Sequence, residues 1–167
     1  MFPGRPEHLR LFSYVGPHRY SLTFGTDSRR AIFTSEGPVE LAKGQILRAA
    51  RETQFAVIAY CFMPDHLHLL VHGQQDDADL KRFVARAKQY SGYYHARAFK
   101  ARLWQRYVYE RVLREAEPTA VVVRYLLENP VRAGLVAQIE DYPFLGSFEY
   151  TRDELIEYVY FDAARSG

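Results

Sequence analysis

Two histidines flank a single leucine in the stretch Tyr60-Cys61-Phe62-Met63-Pro64-Asp65-His66-Leu67-His68-Leu69-Leu70-Val71. Apolar runs of this length, broken and restarted around a proline, read as two buried strands joined by a tight turn. Side chains alternate along a strand, so His66 and His68 share one face while Leu67 and Leu69 point to the other. Two imidazoles side by side on a rigid strand suit one divalent metal, although two ligands do not complete a site. His72 has the same parity but lies about 13 Å from His68, too far for the same ion. Leu70 stands where a histidine-triad hydrolase would need its third histidine. A two-histidine phosphodiesterase would need a second such motif, and the chain has none. The plain alternative is a pair of polar residues on a half-exposed strand.

A second constellation lies in Val123-Arg124-Tyr125-Leu126-Leu127-Glu128-Asn129-Pro130-Val131-Arg132. Helical spacing puts Tyr125 and Asn129 on one face, one turn apart. A tyrosine hydroxyl is a weak nucleophile, but a metal that neutralises a phosphodiester compensates for that weakness. The Asn129 amide oxygen could be a third metal ligand. The competing assignment makes Tyr125 a core aromatic and Asn129 a helix cap before Pro130.

A third signal is charge. No acidic residue occurs from Leu80 to Tyr109, while Lys81, Arg82, Arg86, Lys88, Arg97, Lys100, Arg102 and Arg106 all do. Aromatics are interleaved with them: Tyr90, Tyr93, Tyr94, Phe99, Trp104, Tyr107 and Tyr109. Cations for phosphates and rings for unstacked bases are what a single-stranded nucleic acid requires. A solvated basic helix with core aromatics has the same composition.

These groups need a scaffold. The chain has 167 residues, enough for one domain with a sizeable core, and a net charge of only +2. Its one cysteine, Cys61, rules out an internal disulfide and suits a reducing, cytoplasmic setting. The start lacks the apolar core of a secretory signal, and the apolar run from Phe55 to Pro64 is too short to span a bilayer. Residues 1–17 read as a loose lead-in, 18–150 as one domain and 151–167 as a C-terminal extension.

Strands are expected at 19–24, 55–62, 66–71 and 106–112. Helices are expected from Pro38 to Ala50, from the capping acids 76–79 to Tyr94, and from Glu117 to about Asn129, where Pro130 stops or turns the chain. The order strand, helix, strand, strand, helix, strand, helix predicts an α+β sandwich of ferredoxin-like (RRM-like) type. Its sheet would be antiparallel-rich, with helices on one face and the histidines on an inner strand.

Together these segments resemble a family. The matching residues are 18–24, Tyr60 to Val71, Leu103-Trp104-Gln105-Arg106, 109–114, Arg124 to Val136, and the closing Glu140-Asp141-Tyr142-Pro143 with Ser147 and Tyr150. Their order and spacing are similar to the REP-associated tyrosine transposases, single-tyrosine HUH transposases of the insertion-sequence type. The resemblance implies that His66 and His68 bind Mg²⁺ or Mn²⁺, with Asn129 as third contributor. It implies that Tyr125 attacks a DNA phosphate, leaving a 5′-phosphotyrosyl link and a free 3′-OH. The implied substrate is single-stranded DNA beside a hairpin, as in REP-like palindromes. Lys81, Arg82, Arg86, Lys88, Arg97, Lys100, Arg102, Arg106 and Trp104 would grip that DNA. The protein would work as a monomer or homodimer, without a membrane. One departure is Asp65, where the family usually has Asn. The alternative function is a domesticated, non-cutting binder of palindromic DNA or structured RNA.

Overall fold

The computed structural model describes residues 12–165. Four long strands form: β1 (Arg19–Thr26), β2 (Phe55–Met63), β3 (His66–Gly73) and β4 (Trp104–Val112). A two-residue strand, β5 (Leu145–Gly146), completes an antiparallel sheet in the order β4-β1-β3-β2-β5. The order follows from connectivity. Pro64 and Asp65 make a turn tight enough to force β2 and β3 side by side. The helix between β1 and β2 then carries the chain across, leaving β3 to fill the space between them. This split arrangement is the ferredoxin-like α+β class that the element order predicts.

The helices are α1 (Glu36–Thr53), α2 (Leu80–Phe99), α3 (Thr119–Leu127), α4 (Asn129–Arg132) and α5 (Arg152–Arg165). Their apolar faces build two cores rather than one. On one side of the sheet, α1 and α2 bury Ile46, Ala49, Leu80 and Phe83 against Leu22, Phe24, Phe62, Leu67 and Leu69. On the other side, α3 and α5 bury Val123, Leu127, Leu155 and Val159 against Ala59, Cys61, Met63 and Leu70. The expectation of helices on one face is therefore too simple. Strand β2, FAVIAYCFM, is apolar on both faces because both faces are covered.

Three boundaries also shift. Helix α3 ends at Leu127, two residues short of the expected Asn129, and the chain turns there into α4. The helix breaks at Glu128, and the proline sits in the first turn of α4, where its missing N–H costs little. The expected loose lead-in falls partly outside the described residues. Within them, Tyr14 is buried and its carbonyl accepts from the Leu80 N–H, while Gly16 donates to the Ala78 carbonyl. Gly73 allows that crossing, because a Cβ there would collide with the Gly16 carbonyl oxygen. The expected C-terminal extension, finally, is largely α5, part of the second core.

Trp104 needs a firmer correction. It was expected at the DNA surface, but it is only 4% exposed and packs against Phe24 and Phe33. Its indole N–H donates to Ser91 Oγ at 2.8 Å. A ring buried in this way cannot stack on a base. Trp104→Ala should lower stability by about 3–5 kcal/mol, the usual cost of emptying such a site, as read from urea unfolding. Equal stability would mean that the ring is not in the core.

Candidate active site

Strand β3 delivers the two histidines as its alternation requires. Both face α3, on the side of Leu70, while Leu67, Leu69 and Val71 enter the opposite core. The two Nε2 atoms stand 3.0 Å apart, with ring planes nearly perpendicular. Two nitrogens bound at right angles to one ion, each at about 2.1 Å, would be separated by about 3.0 Å. The donor pair thus fits a single divalent cation. Among the described residues, no group of three or more His, Cys, Asp or Glu side chains could hold a metal.

Each imidazole is held from behind. His66 Nδ1 lies 2.7 Å from Asp65 Oδ1, and Arg29 grips the other carboxylate oxygen through Nε at 3.1 Å and a terminal nitrogen at 2.8 Å. Burial alone would raise the Asp65 carboxyl. The His66 and Arg29 hydrogen bonds outweigh it and hold the group below the usual carboxylate range. His68 Nδ1 lies 3.2 Å from Thr23 Oγ1. Asp65 can only accept, so His66 carries its proton on Nδ1 and presents a bare Nε2. Thr23 can donate or accept, so either tautomer of His68 is served.

Electrostatics keep both rings neutral. Burial, then the neighbouring His66 and Arg132, pulls His68 down to about 3. Burial also lowers His66, and Asp65 offsets only part of that. Neutral imidazoles are the form that binds metal.

Facing His68 across a cleft of about 340 Å³ is α3. Ser21, Thr23, His68, Arg111, Glu117, Tyr125 and Asn129 are among its lining residues. The sequence-expected partners of His68 therefore meet it in space. Tyr125 is 66% exposed, not a core aromatic. The Arg132 guanidinium sits 3.9 Å from the Tyr125 ring centroid and donates to the Tyr125 carbonyl at 2.7 Å. Asn129 has a local task. Pro130 has no N–H to give the Leu126 carbonyl four residues back, and Asn129 Nδ2 supplies that bond at 2.9 Å. Its amide oxygen has no partner among the described residues.

The position of α3 depends on one side chain far away in sequence. Arg19, at the start of β1, donates to the carbonyls of Arg114, Glu115 and Glu117 at 2.7, 3.3 and 2.7 Å. It also donates to Thr119 Oγ1 at 2.8 Å. One guanidinium thus binds the whole loop that leads from β4 into α3.

The basic residues are placed differently. Helix α2 packs on the face opposite the histidines. Lys88 donates to the Gln105 and Arg106 carbonyls at 2.7 and 2.6 Å, and Arg86 is paired with Glu52 at 2.7 Å. Arg97 bonds the Tyr93 hydroxyl, and Arg102 donates to the Trp104 carbonyl. Lys88, Lys100 and Arg102 border an open groove of about 750 Å³ where α2 meets the start of β4. Arg106 lies on β4 itself, and Lys81 and Arg82 stand at the N-terminus of α2.

Thr23, Arg29 and Arg132 were not singled out from sequence. Strand parity alone could have put Thr23 on a defined face, but only the β1–β3 register reveals His68 as its neighbour.

Comparison with known proteins gives the family and the fold. Residues 14–129 match the family described as "Transposase IS200 like". A REP-associated tyrosine transposase of Escherichia coli (strain K12) is 28% identical over 133 residues, covering 78% of this chain and 77% of that one. A Haemophilus influenzae relative assigned to the same class is 30% identical over 101 residues, covering 54% and 57%. A solved REP-associated tyrosine transposase, bound to a REP hairpin, superposes with a TM-score of 0.69 at 24% identity. That match covers 83% of this chain and 81% of that one, and it shows a shared fold. The family match spans most of the chain, so this protein belongs to the IS200-like transposases, enzymes that nick and join DNA, as its resemblance to the REP-associated tyrosine transposases implied.

Proposed function

We propose that this protein cuts and rejoins single-stranded DNA beside a hairpin, with Tyr125 as nucleophile and His66, His68 and Asn129 as the metal-binding set. One observation carries the proposal: His68, whose Nε2 stands 3.0 Å from that of His66, lines a cleft together with the exposed Tyr125 and with Asn129. When bound, Mg²⁺ or Mn²⁺ would neutralise charge on the scissile phosphate. Tyr125 would form a new phosphorus–oxygen bond and give up its hydroxyl proton. The bond to the 3′-oxygen would break, leaving a DNA 3′-OH and a 5′-phosphotyrosine. Attack by a 3′-OH reverses the step and restores the phosphodiester without another energy source. The relative bound to a REP hairpin favours REP-like palindromes as substrate. The open groove bordered by Lys88, Lys100 and Arg102, with the neighbouring one lined by Lys81 and Arg106, supports a DNA grip around the β4 edge; Arg82, Arg86 and Arg97 would add charge elsewhere on α2.

The test is covalent trapping. Oligonucleotides carrying the imperfect palindromes nearest the gene are incubated with protein and Mn²⁺ and run on a denaturing gel. An EDTA-sensitive shifted band is expected. Tight, chelator-indifferent binding with no adduct would instead establish a non-cutting binder.

Asp65 has a defined part in this scheme. It holds the Nδ1 proton of His66, so the Nε2 lone pair faces His68. Its charge is matched by Arg29, so it does not repel DNA. Removing a carboxylate behind a metal-bound histidine typically costs 10–100-fold in metal affinity. Asp65→Ala should weaken Mn²⁺ binding by about that factor in calorimetry. Asp65→Asn, which keeps an acceptor oxygen, should lose less. Unchanged affinity in Asp65→Ala would remove Asp65 from the site.

A further inference from the structure

The helices leave part of the histidine-bearing face open. Helices α3 and α5 pack over β2 and β3, whereas on β4 the side chains of Tyr107, Tyr109 and Arg111 are exposed. Tyr107 is 46% exposed and Tyr109 41%, and neither belongs to either apolar core. Val108 packs toward α1 and α2, so its neighbour Tyr109, which pairs with Thr23, projects to the other side, whereas Tyr107 lies where the β1–β4 register shifts. Thr23 pairs with His68 on one side and with Tyr109 on the other. Tyr109, Thr23 and His68 therefore form a row across three strands, about 10 Å from end to end at ordinary strand spacing.

The second observation is continuity. Tyr107 also lines a groove of about 390 Å³ on the α2 side, with Lys81, Lys88 and Arg106 as its cations and Glu110 as its acid. The Arg106 guanidinium lies 5.4 Å from the Tyr107 ring centroid. A strand running from the basic α2 side to the cleft must cross β4, and β4 is the sheet's outer strand. At that crossing the surface offers two phenol rings, with arginine beside one of them.

We propose that Tyr107 and Tyr109 form a stacking platform for unpaired bases of single-stranded DNA, next to the phosphate held at the histidine pair. An open sheet face bearing aromatics is a recurring way to hold unstacked bases. Stacking tolerates sequence, because every base has a π-face. Tyr109, nearest the cleft, takes the base closest to the scissile phosphate, and Tyr107 takes the next one toward α2. This inference rests on the nuclease proposal above.

The experiment compares the palindromic hairpins with and without their single-stranded flanks, in EDTA so that nothing is cut. The wild-type protein should bind flanked DNA more tightly than the bare hairpin. Tyr109→Ala should lose about 5- to 150-fold of that flank-dependent gain, with bare-hairpin affinity unchanged. Tyr109→Phe should keep it. A 2-aminopurine in the flank should be quenched by wild type and by Tyr109→Phe, but not by Tyr109→Ala. If Tyr109→Ala and the double variant with Tyr107→Ala bind flanked DNA like wild type, the platform is overturned while the nuclease proposal stands. If wild type binds neither DNA, the nuclease proposal falls and the platform with it.

Discussion

Tyr125→Phe should abolish the covalent protein–DNA adduct while leaving hairpin affinity within about twofold of wild type. The substitution removes one oxygen from a side chain that is mostly exposed, so the fold loses nothing. The ring remains, and with it the Arg132 contact at 3.9 Å that fixes its orientation. A phenyl ring has no atom that can bond to phosphorus, so the adduct should drop below detection rather than merely slow. Denaturing gels read the adduct, and electrophoretic shifts read the binding. An adduct that persists would move the nucleophile elsewhere, first to Tyr90, Tyr93 or Tyr94 of α2. Those three lie on the helix that packs against the other face of the sheet from His66 and His68. Loss of hairpin binding in a folded Tyr125→Phe protein would instead make the hydroxyl a recognition group.

His68→Gln has the second largest expected effect. It removes one of two imidazole donors, so Mn²⁺ affinity should fall more than about 100-fold, beyond the usual loss of a partner behind a ligand. Adduct formation should fall with it, and calorimetry separates the two readouts. The same variant has a pH signature in the metal-free protein. His68 is held far below its ordinary value in the folded state, to about 3, mainly by burial. Between about 6.5 and about 3 the unfolded chain therefore binds a proton that the folded chain refuses. The stabilisation is complete above the unfolded value and is lost as pH falls. His66 acts in the same direction. Melting in EDTA should show wild type losing stability from pH 7 to pH 5 by at least several degrees more than His68→Gln. Parallel loss in both proteins would mean that His68 is already protonated or exposed.

The histidine face was legible because alternation along a strand is geometry and needs no partner to be known. Tyr125 and Asn129 do line one cleft, but across the break between α3 and α4 rather than along one continuous helix. The folding of α3 over the histidine face, rather than beside α1 and α2, was not legible. It depends on which apolar surface of β2 and β3 is still uncovered when α3 arrives, and a continuous run such as FAVIAYCFM does not label its faces. Trp104 was misassigned for a related reason. A tryptophan among cations has the same composition whether its indole meets a base or the Ser91 hydroxyl thirteen residues earlier. Pro130 marks the end of α3 as its missing N–H requires, but the sequence does not show that the Asn129 side chain replaces that donor and lets a short helix follow. The Arg29–Asp65 contact joins residues 36 apart, through a turn where Ser28 and Arg29 both adopt left-handed backbone angles. No local pattern in the sequence announces such a turn.

The single guanidinium of Arg19 ties the β4–α3 loop through four acceptors. Lysine would keep the charge but not the planar fork that reaches several acceptors at once. With Tyr125 in its proposed role, the aim of its oxygen would therefore drift through a change at the far end of another strand, with His66, His68 and Tyr125 all intact. A variant at Arg19 would then lose activity through the mount of α3 and leave the proposed reacting groups unchanged.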